Sequence, residues 1–261
     1  MLEQRLWHSD KRMFQETFLA GGLNFKLNPA YYRIGPVLEV QPIALLNLRA
    51  YYEYISIIST NFGHLQSFSD PSDPYSDELR KSNIDAAYKT RGHHLAFEPA
   101  LQFKVKNVAL RSRWTLEYWD MELQDSDGDG VIDRVFYDPP LDTLIAGQGW
   151  VVSNDTDLAY LTGGAMTFGV RYTSVKPRYS AEDFEASSQP EGFIAPSHRR
   201  IGPLITYSFN TKNHSWFNRP TLVLVTGFYL QHAFRPIQKP FILLAFAFTS
   251  DLLVKPTRPA G

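Results

Sequence analysis

Apolar and polar residues alternate along most of this chain with a period of two, the spacing of a strand whose two faces meet different surroundings. Over 92–105, Leu95, Phe97, Pro99, Leu101, Phe103 and Val105 alternate with Ala96, Glu98, Ala100, Gln102 and Lys104. Val108, Leu110, Trp114, Leu116 and Tyr118 then alternate with Ala109, Arg111, Arg113, Thr115 and Glu117. Lys106-Asn107 joins these two runs tightly, as a hairpin does. The same pattern returns over 32–41, 46–54, 166–173, 200–209 and 221–231, and Ile242, Leu244, Phe246 and Phe248 form the last apolar row. A first strand fits 18–27 and a weaker one 155–162. The reading is all-β, with about ten antiparallel strands in up-and-down order and room for eight to twelve.

The connections alternate in length. Polar stretches at 59–91, 121–153 and 177–197 each follow an odd-numbered strand, and the first is too polar for a core element. Pro42-Ile43, Lys106-Asn107 and Gly163-Gly164 are short and follow even ones, while the turn near 210–219 is longer. Short turns at one end and long loops at the other are the arrangement of an outer-membrane barrel, and an even count puts both termini on the short-turn side. Arg33-Ile34-Gly35-Pro36 recurs as Arg200-Ile201-Gly202-Pro203, too little for an internal repeat. Pro36, Pro99 and Pro203 lie on the apolar row, where a closed sheet has no free edge for them; bulges near strand ends would accommodate them.

Alternation alone also fits a soluble barrel with an apolar interior. Three features favour the inverted version. The apolar row carries Phe97, Phe103, Trp114, Tyr118, Phe228, Phe246 and Phe248, which would overfill so narrow a barrel, while lipid accepts any volume. The polar row is rich in small residues, among them Gly35, Ala96, Ala100, Gly169, Gly202 and Gly227, as a crowded interior requires. Its charges are mixed and rich in Arg, as paired interior charges should be: Arg33, Glu39, Arg49, Glu53, Glu98, Lys104, Arg111, Arg113, Glu117, Arg171 and Arg200. These either plug a narrow lumen with ion pairs or line a conduit.

Composition narrows the picture further. The 261 residues suit one large domain or two small ones, with 44% hydrophobic residues, and the 14% aromatic content suits strands and membrane interfaces. A net charge of -1 offers no nucleic-acid footprint. The absence of Cys excludes disulfides, thiolate metal sites and a cysteine nucleophile. The most apolar run, 241–248, is too short for a membrane helix, and a mean hydropathy of -0.26 is compatible with strands that present only alternate residues to lipid. The start carries charge at once and shows no secretory signal; an outer-membrane protein needs one, so the reading takes this start as truncated or mis-set. The expected organisation is a periplasmic segment at 1–16, a barrel at 17–252 and a tail at 253–261.

Taken as a whole, 18–252 resembles the Gram-negative outer-membrane barrels of OmpA-like to omptin-like size. The likeness lies in the dyad repeats, the alternating turns and loops, and the aromatic last strand, with no specific family match. It implies an envelope protein in a lipid bilayer, delivered by the outer-membrane insertion machinery. Such barrels usually end at an aromatic residue, whereas Phe248 here precedes a tail ending Lys255-Pro256-Thr257-Arg258-Pro259-Ala260-Gly261.

Local chemistry centres on Asp125-Ser126-Asp127-Gly128-Asp129-Gly130-Val131-Ile132-Asp133. This resembles the calcium loops of thrombospondin type 3 and dockerin-like repeats. By that resemblance Asp125, Asp127, Asp129 and Asp133 would give side-chain oxygens and Val131 its carbonyl, while Phe136 stands where an EF-hand has its bidentate Glu. The plain alternative is a solvated turn. Catalysis has thinner support: His93-His94, His198 and His214-Ser215 are the histidines a rim hydrolase could use, and no phosphate loop, zinc pair or nucleophile elbow occurs. The preferred reading is a non-enzymatic outer-membrane barrel, structural or a narrow pore, with a calcium-stabilised outer loop. The alternatives are a rim-active hydrolase and a soluble barrel for a small apolar ligand.

Overall fold

The computed structural model describes residues 2–7, 11–60, 65–126, 128–209 and 218–249. Its strands are β1 (Leu2–Arg5), β2 (Phe18–Leu27), β3 (Tyr31–Ile43), β4 (Leu46–Ile57), β5 (Ser67–Phe68), β6 (Arg91–Val105), β7 (Val108–Met121), β8 (Val135–Asp138), β9 (Thr143–Ala146), β10 (Gln148–Leu161), β11 (Met166–Pro177), β12 (His198–Ser208), β13 (Asn218–Gln231) and β14 (Pro240–Thr249). One six-residue helix, α1 (Asp77–Ser82), follows β5. Eleven strands form one antiparallel sheet in the order β1-β2-β3-β4-β6-β7-β10-β11-β12-β13-β14, and β5-β8-β9 form a second, small sheet.

The large sheet is sheared. Gly21, the fourth residue of β2, leads through Leu38, Ala50, Phe97, Leu116 and Val152 to Lys176, the last but one of β11. Such a stagger tilts the strands against the axis of any barrel they form. The sheet nonetheless keeps two edges: among the described residues β14 does not pair with β2, so the closed barrel expected from the sequence is not formed. The free edge of β2 is taken in part by β1, which pairs Leu2–Arg5 with Phe18–Gly21 inside the segment read as lying outside the barrel.

The three awkward prolines have a local answer. Pro36 faces Leu23 on one side, but on the other the β3–β4 ladder is interrupted between Ile34 and Val37. Pro203 faces Val170, and the β12–β13 ladder is interrupted between Ile201 and Leu204. Pro99 faces Leu48 beside a break in the β6–β7 ladder. Each missing N–H thus falls where no ladder bond is made. The recurring Gly-Pro pair is one device used twice. A Cβ on Gly35 would stand 1.9 Å from the Tyr52 carbonyl oxygen, and one on Gly202 would stand 1.8 Å from that of Thr226.

The stretches expected to be plain loops carry the tightest packing. β8 and β9 lie within 121–153, and β10 begins at Gln148, well before the strand expected at 155. The early part of β10 shows no alternation because Val151 faces inward onto apolar neighbours while Trp150 faces out. Phe136 and Ile145 pack with Leu65 against the inward residues Ile55, Trp119, Met121, Val151 and Val175. Tyr75, Val135, Tyr137 and Leu144 form a second cluster above them. Segment 59–91, read as too polar for a core, supplies both Leu65 and Tyr75. The small sheet with α1 is therefore a cap seated on the inner face of the large sheet at its long-loop end.

Gly202→Ala is expected to lower stability by about 1–3 kcal/mol, because backbone must move to admit the methyl. Gly21→Ala meets open space and should be neutral or slightly stabilising. Urea midpoints of the two variants check this; equal effects would remove the close-approach account.

Candidate functional site

Inward side chains form three layers from the short-turn end to the cap. In the lowest, the charges pair across adjacent strands. Arg113 Nη2 donates to Asp155 Oδ2 at 3.0 Å, and Arg171 grips Asp157 through Nε at 2.6 Å and Nη2 at 2.7 Å. Arg49 stands 4.0 Å from Glu98, which also accepts from Tyr51 Oη at 3.3 Å, and Asn47 donates to Glu39 at 2.8 Å. Asp155 and Asp157 were not among the expected lumen charges. Lys104 and Arg111 are exposed, and Arg200 lies 4.9 Å from the Phe241 ring centre; none of these three has a carboxylate within ion-pair distance among the described residues.

The middle layer is a buried polar cluster beneath the cap. Glu53 is fully enclosed and His94 nearly so. His94 Nδ1 lies 3.2 Å from Glu53 Oε2, and its Nε2 lies 3.6 Å from Glu117 Oε2. Asn24 donates to Glu53 Oε1 at 2.6 Å, Lys26 Nζ stands 2.7 Å from the same oxygen, and Trp119 Nε1 donates to Glu117 at 3.2 Å. Arg33 bridges upward, 4.0 Å from Glu53 and 3.9 Å from Asp138 at the end of β8. The imidazole stacks on Trp119 at 4.1 Å. A histidine so placed can donate to both carboxylates only when both ring nitrogens carry protons. Glu53, Glu117 and Arg33 were expected lumen charges; His94 was considered only as a rim histidine, and Lys26 and Asn24 were missed. Even the pairs of one register row (Glu53 opposite His94) could be found only once the strand partners were known.

The third layer ties the cap to the wall. Arg235, in the loop between β13 and β14, donates to both oxygens of Asp142 at 2.8 Å and to Asp77 of α1 at 2.7 Å. Asp142 also accepts from Tyr229 at 2.5 Å and Tyr137 at 2.7 Å, and lies 3.3 Å from His232. Burial alone would raise the Asp142 carboxyl, but hydrogen bonds from His232, Arg235, Tyr229 and Tyr137 outweigh it and hold it well below the usual carboxylate range. Arg235, helped by Lys239 and Arg80, likewise holds Asp77 low against its burial. Asp142 sits in a turn at positive φ, 51°, a conformation Asp tolerates better than most residues. Nothing in the sequence near 142 announces this role, because apart from Tyr137 its partners lie about ninety residues away.

The remaining candidates are dispersed. His198 is buried with ring contacts to Tyr229 and His232 and no hydrogen bond. His93 faces outward, 2.6 Å from the Tyr52 hydroxyl. His214-Ser215 lies outside the described residues. In the acidic turn Asp125 accepts from Gly128 and Gly130 N–H at 2.6 and 2.8 Å, and Asp129 from Val131 N–H at 2.7 Å. Asp133 is turned into the cap, where Ser67 Oγ donates to it at 2.5 Å. Asp127 lies outside the described residues, and no cluster of three metal-ligating side chains occurs among those described. No family model, curated protein or solved structure matches this chain.

The latch generates a pH dependence. A carboxyl held below its unfolded value contributes fully above that value, near 4, and its contribution fades as pH falls toward the folded one. Unfolding of the native protein should therefore become steadily easier below about pH 4, and Asp142→Asn should be less stable at pH 7 with a flatter acid limb. Parallel wild-type and variant curves from pH 7 to 2 would overturn the latch.

Proposed function

We propose that this chain is an outer-membrane β-barrel closed by β14 against β2, a structural or narrow-pore envelope protein whose cap and ion pairs plug the lumen. The observation that carries the reading is the polarity of the large sheet. Leu23, Phe25, Leu38, Leu95, Phe97, Leu101, Phe103, Trp114, Leu158, Phe168, Phe228 and Leu244 are all exposed on one face, while the paired charges occupy the other. Water would disfavour so large an apolar surface, and a bilayer accepts it.

The dimensions agree. On β10 the outward row runs from Trp150 to Tyr160, ten residue steps or about 33 Å along the strand. At a tilt of roughly 40° this spans about 25 Å, the height of an outer-membrane apolar band. Aromatic residues stand at both limits: Tyr52, Tyr54, Tyr118 and Trp150 toward the cap, and Phe103, Tyr160, Tyr207 and Phe209 at the other end. Trp and Tyr favour such interfaces. Calcium at Asp125, Asp127, Asp129, Val131 and Asp133 belongs to this proposal as a loop clamp, and it requires Asp133 to leave Ser67.

Leu101→Arg should block assembly into bilayers or cost about 2–4 kcal/mol near the midplane, whereas Ala100→Ser on the inner face should be mild. Refolding into phosphatidylcholine vesicles, scored by heat-modifiable mobility, decides this; equal tolerance would sink the membrane reading. Planar-bilayer conductance should be small or nil, and a large steady current would refute the plugged lumen.

A further inference from the structure

The inner wall is two-sided in a way the ion pairs do not explain. On β3 to β11 its lower part carries Glu39, Arg49, Glu98, Arg113, Asp155, Asp157 and Arg171. On β13 and β14 the inward positions between Thr221 and Tyr229 are, apart from Gly227, apolar: Val223, Val225, Phe241, Leu243, Ala245 and Ala247, by the register that sets Val223 opposite Ala245 and Val225 opposite Leu243. The last strand is thus apolar on both faces, since Ile242, Leu244, Phe246 and Phe248 face outward. Continuous apolar strands are those covered on both faces. Here the inner face is uncovered: Leu243 is 46% exposed. Arg200 of β12 stands at the head of this strip. Its guanidinium lies over the Phe241 ring at 4.9 Å and has no carboxylate within ion-pair distance among the described residues. The strip also borders the sheet's open seam, where β14 and the upper half of β2 have unpaired edges.

We propose that this strip binds a single-chain anionic amphiphile, a long-chain fatty carboxylate, with its head on Arg200 and its chain along Leu243, Ala245 and Ala247. The proposal rests on the barrel reading, which makes this face a lumen wall beside the junction of β14 with β2. Two physical requirements select the ligand. An apolar strip beside water is stabilised by a hydrocarbon chain, and Phe241 to Ala247 gives it about 20 Å of wall. A guanidinium without a partner is satisfied by a carboxylate, which it can grip through two N–H groups. A neutral lipid would leave Arg200 unsatisfied, and a short anion would leave the strip bare.

The test uses the whole protein in phosphatidylcholine nanodiscs, with cis-parinarate fluorescence read against empty nanodiscs. Palmitate should displace the probe saturably, and octanoate should not. Arg200→Gln should weaken palmitate about tenfold or more, the loss expected for one charge-assisted hydrogen bond, while leaving hexadecanol unchanged. Leu243→Asn should weaken both. Absence of saturable displacement, or an Arg200→Gln protein that binds palmitate like the wild type, overturns the proposal. Heat-modifiable mobility of each preparation reports insertion separately. A protein that inserts and ignores palmitate refutes this site alone, whereas one that never inserts refutes the barrel, and palmitate titration of the free protein then decides the site.

Discussion

The structure depends on an inversion of polarity: large apolar side chains stand on the outside of the sheet and charges on the inside. Once charges face inward, each needs a counter-charge within reach, because an unpaired charge taken out of water is costly. The register supplies it for most of them. Arg113 is directly opposite Asp155, Arg171 opposite Asp157, Arg49 opposite Glu98, and Glu53 opposite His94. Cross-strand neighbours on one face are close enough to pair without long excursions of either side chain. A slip of one residue would turn every charge to the outside and every Phe to the inside, so the inversion and the register enforce each other.

The cap follows from the same arrangement. A sheet with a polar inner face offers little ordinary hydrophobic core, and below the cap this one buries only the small cluster of Val37, Tyr51 and Ala96. At the long-loop end the inner row changes character, to Ile55, Trp119, Val151 and Val175, and the loop strands β8 and β9 bring Phe136 and Ile145 onto it. Between this dry cluster and the charged layer below lies the Glu53–His94–Glu117 group, where Arg33 reaches both the wall and the cap through Glu53 and Asp138. Fastening is completed from the far side by Arg235, which holds Asp142 and Asp77 of the cap at once. The cap is thus packed on one side and clamped on the other.

The strands were legible because alternation is a local signal, and β2 falls on the residues expected for it. β10 was misjudged because its outward row is broken. Asn154 and Thr156 face outward there and are satisfied by Ser112 and by each other, with bonds of 2.9 to 3.1 Å. That polar patch hides the apolar row, and with it the inward position of Asp155 and Asp157. The cap was invisible for another reason. Val135-Phe136-Tyr137 and Leu144-Ile145 are short apolar runs inside polar stretches, and only contacts with residues far along the chain give them a core to join. In the acidic turn Asp125 and Asp129 accept from backbone N–H groups of their own turn, as Asx-turn carboxylates do.

The seam is where these constraints meet. β1 takes Phe18–Gly21 of the β2 edge, so only the remainder of that strand, toward Leu27, is free to receive β14. Closure there would join a strand apolar on both faces to one whose inward residues are Ala20, Gly22, Asn24 and Lys26. No inward charge on β14 answers Lys26, which is already taken by Glu53, so no cross-strand ion pair holds this junction as it holds β7 to β10 or β10 to β11. Backbone hydrogen bonds and lipid-facing packing alone would maintain it. Like the β11–β12 pair, it would have no cross-strand ion pair, and the apolar strip lies directly beside it.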